Sequence, residues 1–435
     1  MSTYLITCTP AHGHIAPLLT IARHLRGRGH RVRMLTSERY AARVRAADVE
    51  FLPLPAAADV DLDEPDAAFP ERRGLRGPAA LRFDMINLFL APGEAQLDAV
   101  RAALREAPAD AVLTEPLFVG AALLNELPRT ERPPVVALGI FPLGVKSRDT
   151  APFGLGVPPG RGALARWRNA ALTLFAEKAV FGAVAREADE LARRTVGRPF
   201  SRFFLDWHSA ADAVVQFTVP AFEYPRSDLP ANVHFVGALP PTAPAVDLPE
   251  WWGDLDGSRP VVHVTQGTIA NADFSQLIGP TLEALAGDDV LVVASLGGRL
   301  GGALGPVPAN ARTAAYLPYD RLLPLTDVVV TNGGYGGVQQ ALAQGIPLVV
   351  AGKTEDKVEV AARVGWSGAG FDLRTNTPSA ARVGAAVRRV LSDDRYRRRA
   401  RDLAGAYAQA SALDGLDRVL ETTQSAAETR SSSIR

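Results

Sequence analysis

Three segments of this 435-residue chain hold the residue types whose spacing suits chemistry. The first is Asp327-Val-Val-Val-Thr-Asn-Gly-Gly-Tyr-Gly-Gly337, followed by Val338-Gln-Gln-Ala-Leu-Ala-Gln344. It reads as a strand, a glycine turn and a helix start. Glycines let backbone N–H groups approach an anion closely, and a helix start adds partial positive charge, so a diphosphate suits the turn. A tight turn with no ligand fits the glycines taken alone equally well. The second is Lys353-Thr-Glu-Asp-Lys357, at the end of the apolar run after Gly345. Carboxylates there accept hydrogen bonds from sugar hydroxyls and the lysine donates; Thr354 and Asp356 also suit simple helix capping. The third is Pro10-Ala-His-Gly-His14, a loop after the first apolar run. Histidine titrates near neutrality and so suits a general base.

These segments need a scaffold, and the hydrophobic pattern supplies an α/β one. Tyr4–Thr9 reads as a strand, Ile15–Arg28 as a helix stopped by Gly29, and Arg31–Thr36 as a second strand. Further strands are expected at Ala111–Thr114, Val135–Leu138 and Ala213–Phe217. Pro55–Gly93 and Pro142–Gly162 read as long loops that form a binding surface. The prolines from Gly237 to Pro244 mark a linker, after which the rhythm restarts. Val261–Thr265, Val290–Ser295, Thr313–Leu317, Asp327–Thr331 and Pro347–Ala351 read as buried parallel strands. The pattern predicts two Rossmann-like halves facing across a cleft, with ligands outside the carboxyl ends of the strands. Residues 1–237 form the first half, 238–258 the linker and 259–410 the second half. Residues 411–435 give a helix that packs back on the first half and, from Ser425, a disordered tail.

Composition narrows the function classes. Lys+Arg and Asp+Glu are both 47, so the basic excess of a general nucleic-acid binder is absent. Arg23, Arg26, Arg28, Arg31 and Arg33 crowd one early segment, read as a solvated helix end. The single cysteine, Cys8, excludes a disulfide framework and a cysteine-based metal site. Pro10, His12 and His14 interrupt the first apolar stretch, against a signal peptide, and no long uncharged run suggests a membrane span. A cytoplasmic protein without stable membrane insertion, monomeric or a homodimer, is the expectation.

With these residues in view, the chain resembles the family-1 glycosyltransferases, the inverting GT-B enzymes that include bacterial antibiotic and glycolipid glycosyltransferases and the UDP-glucosyl and UDP-glucuronosyl transferases. The resemblance covers nearly the whole chain. The family's donor signature is matched by Asn332, Gly333, Gly334, Tyr335, Gly336, Gly337 and Gln340, then Gly345-Ile-Pro347, then Asp356 and Lys357 beside Glu355. Tyr316-Leu-Pro-Tyr319 resembles the step that holds the nucleobase; the resemblance implies Tyr316 stacking on the base, about 1–3 kcal/mol for such contacts. Three departures stand out. Asn332 replaces a phosphate-binding histidine, Gln340 a ribose-binding glutamate, and Lys357 a sugar-contacting glutamine. A weaker ribose grip leans the expected donor toward a dTDP-sugar over a UDP-sugar. Gly267 and Thr268, after the strand at 261–265, correspond to a loop facing the donor phosphates.

The resemblance also assigns a base. Gly13-His14-Ile-Ala-Pro17 matches the pattern carrying the catalytic histidine, which singles out His14; His12 is a neighbour or acceptor contact. Glu115 stands where the family places an aspartate that holds the base, and the alternative is a surface glutamate before Pro116. A single in-line displacement is implied, with no metal and no cofactor beyond the nucleotide-sugar co-substrate. Phe83, Met85, Phe89 and Phe141, with Leu88 and Phe153, are candidates for an apolar acceptor pocket or for plain core packing. A nucleotide-sugar 2-epimerase and a non-catalytic helper of the same fold are the competing expectations.

Overall fold

The computed structural model describes residues 1–62, 65–241, 246–267, 271, 273–298 and 304–433. Seven strands make the first sheet: β1 (Thr3–Thr7), β2 (Arg31–Thr36), β3 (Glu50–Pro53), β4 (Ala111–Thr114), β5 (Val135–Gly139), β6 (Ala213–Gln216) and β7 (Val233–Phe235). Their order is β3-β2-β1-β4-β5-β6-β7, with every pair parallel. Six strands make the second: β8 (Val261–Thr265), β9 (Leu291–Ser295), β10 (Ala311–Ala314), β11 (Val328–Thr331), β12 (Leu348–Val350) and β13 (Gly370–Asp372). Their order is β10-β9-β8-β11-β12-β13, again parallel. Helices cover both faces, so strands such as Val135–Gly139 are buried along their whole length. Continuous Val, Leu and Ala runs suit that two-sided burial. In each sheet the strand order reverses beside the first strand, at β1–β4 and β8–β11. That reversal opens a crevice at the carboxyl ends of the strands.

Several expectations are corrected. β3, β7 and β13 were not expected; at three or four residues each they are too short to show a period. β10 ends at Ala314, so Tyr316 and Leu317 lie in the loop beyond it. The first helix starts at His12 rather than Ile15, so both histidines are helical. Ala11 precedes it with extended backbone, and its carbonyl accepts from His14 and Ile15. Arg33 is not solvated. It is fully buried on β2 and donates to the carbonyls of Ala103 and Ala107 at the end of the Gly93–Glu106 helix. A cation suits a helix C-terminus.

The last helix runs Ala412–Ser433, through the segment expected to be disordered. Ala412, Leu416, Val419 and Leu420 anchor it in the core of the first sheet, and Asp417 meets His24 at 3.0 Å. Beyond the anchor, Thr422, Ser425 and Thr429 return their hydroxyls to carbonyls four residues back, which satisfies them within the helix. Among the described residues, no helix is long and apolar enough to cross a membrane.

Candidate active site

His14, Glu115, the glycine turn and the charged loop after β12 all lie at the carboxyl ends of their sheets' strands. On the first sheet, β1 leads to His14 and β4 to Glu115. Thr7 and Thr114, paired in register, share a 2.7 Å hydroxyl hydrogen bond that locks the two strand ends together. Glu115 is fully buried rather than on the surface. One carboxylate oxygen accepts the Thr9 N–H at 3.1 Å and the Thr9 hydroxyl; the other accepts the Leu117 N–H at 2.7 Å. The second oxygen lies 3.4 Å from His14 Nδ1, in ion-pair range but longer than a formed hydrogen bond. Burial pushes the Glu115 carboxyl up, but His14 and the Thr9 and Leu117 donors outweigh it and hold it below its ordinary value. Burial pushes His14 down; Glu115, then Asp356 and Glu355, outweigh that and raise it above its ordinary value. Glu115 thus faces Nδ1, with Nε2 on the other side of the ring, where a neutral imidazole can accept a proton.

On the second sheet, β11 ends in the glycine turn. Gly333 has φ +89°, and its N–H donates to the Thr331 hydroxyl at 3.2 Å. Gly334 precedes the Tyr335–Ala343 helix, which has no side-chain cap. Its first-turn amides therefore have no helical acceptor and face outward. Gly336 and Gly337 are exposed, with open space where a Cβ would stand. Gln340 follows on the next turn, half-buried. Asn332 donates its side-chain N–H to the Gln266 carbonyl at 2.5 Å, joining the β11 turn to the β8 loop. In that loop Gly267 is exposed at φ +71°, and Thr268 lies outside the described residues.

After β12 come the charged residues. Glu355 is exposed at φ +56°, and its carboxylate pairs with the Lys357 ammonium. Asp356 is half-buried between them, and burial pushes its carboxyl up to about 6 against the pull of Lys357. Asp356 and Glu355 are the charges of the second half that, with Glu115, raise His14. Tyr316 is 44% exposed in the loop after β10, its hydroxyl against Gly298. Tyr319 is not brought to the cleft. It turns into the core, where its hydroxyl meets His263 Nε2 at 3.0 Å.

The apolar candidates divide. Phe141, after β5, has its ring 6.2 Å from the His14 ring and 6.4 Å from that of Phe153. Met85 and Phe89 line a small apolar cavity with Pro116, Leu117 and Trp207, directly behind Glu115. Phe83 instead stacks edge-on against Phe69. His12 turns toward Arg43, 3.4 Å away. Among the described residues, no group of three His, Cys, Asp or Glu side chains could hold a metal ion.

Sequence reasoning missed the anchor between the domains. Arg363, fully buried on the Lys357–Ser367 helix, donates to Glu223 at 3.0 Å and to Glu359 at 2.7 Å and lies over the Tyr224 ring. Glu359 also accepts the N–H groups of Gly154 and Gly156, both at 2.9 Å. Partners up to 205 residues apart leave no local pattern. Thr9 and Gln266 were missed too, because their role is to hold Glu115 and Asn332.

Known proteins match the chain along most of its length. Residues 7–131 match the glycosyltransferase family 28 N-terminal domain, and residues 280–412 the erythromycin biosynthesis protein CIII-like C-terminal domain. A protein of Lentzea aerocolonigenes named 4'-demethylrebeccamycin synthase is 42% identical over 95% of this chain and 97% of its own. UDP-glucosyltransferase 1 of Beauveria bassiana is 37% identical over 94% of this chain and 93% of its own. The crystal structure of the glycosyltransferase VinC in complex with dTDP superposes with a TM-score of 0.69, at 18% identity, over 97% of this chain and 99% of its own.

Proposed function

Because the chain belongs to the family-1 glycosyltransferases of the GT-B fold, and so is an enzyme, we propose that it carries a hexose or deoxyhexose from a uridine or thymidine diphosphate sugar to a hydroxyl of a small apolar natural product. The observation that carries this reading is the His14–Glu115 pair set across the cleft from the Gly333–Gly337 turn. His14 Nε2 takes the acceptor proton. The acceptor oxygen attacks the anomeric carbon from the face opposite the leaving diphosphate, so the configuration inverts. Glu115 orients the imidazole and stabilises its cation. The outward amides of the glycine turn receive the diphosphate. The acceptor lies against Phe141 and Phe153, and Tyr316 offers its exposed ring to the base.

The names of the relatives support the donor class and the kind of product: one is named for UDP-glucose-type transfer and one as the synthase of 4'-demethylrebeccamycin. Neither the epimerase nor the helper reading is favoured, since these relatives are named as transferases or synthases. The test is incubation with UDP-glucose or dTDP-glucose and a panel of aromatic alcohols, with the anomer of any product read by NMR. A β-glucoside from these α-linked donors supports the reading. Retention of configuration, or no nucleoside diphosphate released from any donor, sinks it.

A further inference from the structure

The glycine turn has no cation of its own. Asn332 is neutral, and one of its two side-chain N–H groups is given to the Gln266 carbonyl. The Tyr335–Ala343 helix carries no charged side chain. Yet a nucleoside diphosphate gains a negative charge as its bond to the sugar breaks, and amide dipoles offset only part of it.

Lys357 stands beside the turn. Its carbonyl and its Cβ lie 3.5 and 3.6 Å from where a Cβ on Gly333 would be. Its side chain is only 12% exposed. The partner of its ammonium, Glu355, is 67% exposed and held at a positive φ that a non-glycine residue rarely adopts. The Lys357 side chain is thus largely buried beside the turn, whereas the carboxylate paired with its ammonium is accessible to water.

We infer that Lys357 is the cation that binds the donor diphosphate and meets the charge of the leaving group, in the role that Asn332 leaves empty. This rests on the donor-site reading above. At rest the ammonium pairs with Glu355; with donor bound it turns to the β-phosphate and Glu355 faces water. In the transfer the acceptor O–H proton goes to His14 and the oxygen–anomeric carbon bond forms. The bond from the anomeric carbon to the phosphate oxygen breaks, and that oxygen keeps the electron pair. Lys357 faces the new negative charge without giving up a proton.

The test is calorimetric titration of the full chain with UDP, dTDP, uridine and thymidine. For the better-bound diphosphate, Lys357→Gln should weaken affinity by about tenfold or more, as loss of a charge-assisted contact does, with nucleoside affinity unchanged. Lys357→Arg should retain most of the affinity, and adding Asn332→His to Lys357→Gln should restore part of it. Thermal midpoints of all variants report whether folding is intact. A Lys357→Gln protein that folds and binds the diphosphate as tightly as wild type overturns the inference, even if its transfer rate falls. Wild type binding neither diphosphate overturns the donor reading itself.

Discussion

The Tyr319 hydroxyl donates to Nε2 of His263, because Nδ1–H of that imidazole is given to the Val293 carbonyl at 2.9 Å. His263 is fully buried, and burial pushes it down to about 4, so it stays neutral. Tyr319→Phe should therefore act on stability and not on the donor. Leaving Nε2 without a donor costs about 1–3 kcal/mol, read as a lower denaturant midpoint with donor KM unchanged. Tyr316→Ala should do the reverse, raising donor KM about fivefold or more, from the lower end of a base-stacking contact upward.

His14→Ala should lower kcat by about 10²–10⁴-fold, the range for a lost general base. Affinity for the nucleoside diphosphate should stay within a factor of about two. Initial rates and calorimetry on the same preparation check both halves.

Glu115→Gln tests the sign of the electrostatics. In wild type the base works only when neutral, and Glu115 raises the pKa of His14. Activity should therefore rise with pH through a value above the ordinary histidine range. Without the carboxylate charge, burial dominates and the pKa falls. The acid limb of the kcat profile should then move to lower pH, while kcat on the plateau drops because the imidazolium loses its counter-charge. A limb that stays in place would show that Glu115 does not act on His14.

Two glycines of the donor turn should separate folding from binding. Gly333→Ala puts a Cβ on a residue at φ +89°, 3.0 Å from Val350, and should cost about 1–2 kcal/mol from the left-handed backbone alone. Gly336→Ala meets open space within a helix and should leave stability unchanged or raise it by about 0.5–1 kcal/mol. Its methyl group would nevertheless stand beside the diphosphate, so donor KM should rise. Thermal melts and donor kinetics distinguish the pair.

Arg363→Met should destabilise by about 3–5 kcal/mol, because Glu359 would stay buried without its cation and Glu223 would keep only Arg226. The loss should recede as pH falls. Glu223 is held below its ordinary value by Arg363 and Arg226 against burial. Wild type therefore gains stability above the ordinary carboxylate range and loses it as pH drops through the depressed value. Urea titrations at pH 7 and pH 4 check this.

Much of the fold was legible because parallel strands buried on both faces are continuous apolar runs. Val261–Thr265 and Ala111–Thr114 stand out with no tertiary information. Gly370–Asp372 does not, since three residues carry no period. At the site, residue type and spacing pointed to the Gly333–Gly337 turn and the histidine loop after the first strand, whereas the choice of His14 and of Glu115 came from the family resemblance. Spacing could not say which way a side chain turns. Tyr316 and Tyr319 are three residues apart, one in the loop and one in the core, and only packing against His263 decides that. Arg33 looked like surface charge because its acceptors, Ala103 and Ala107, lie some 70 residues away.

The Lys357–Ser367 helix bears on how such enzymes can be recombined. Its first residue, Lys357, lies beside the glycine turn of the second half, while Glu359 and Arg363 grip Gly154, Gly156 and Glu223 of the first. A hybrid spliced at the proline-rich linker, taking one half from a relative, would inherit one side of that grip without its counterpart. Swapped halves should therefore work only when Glu223 travels with Arg363 and the Gly154–Gly156 turn with Glu359. In such chimeras the two halves are not independent modules.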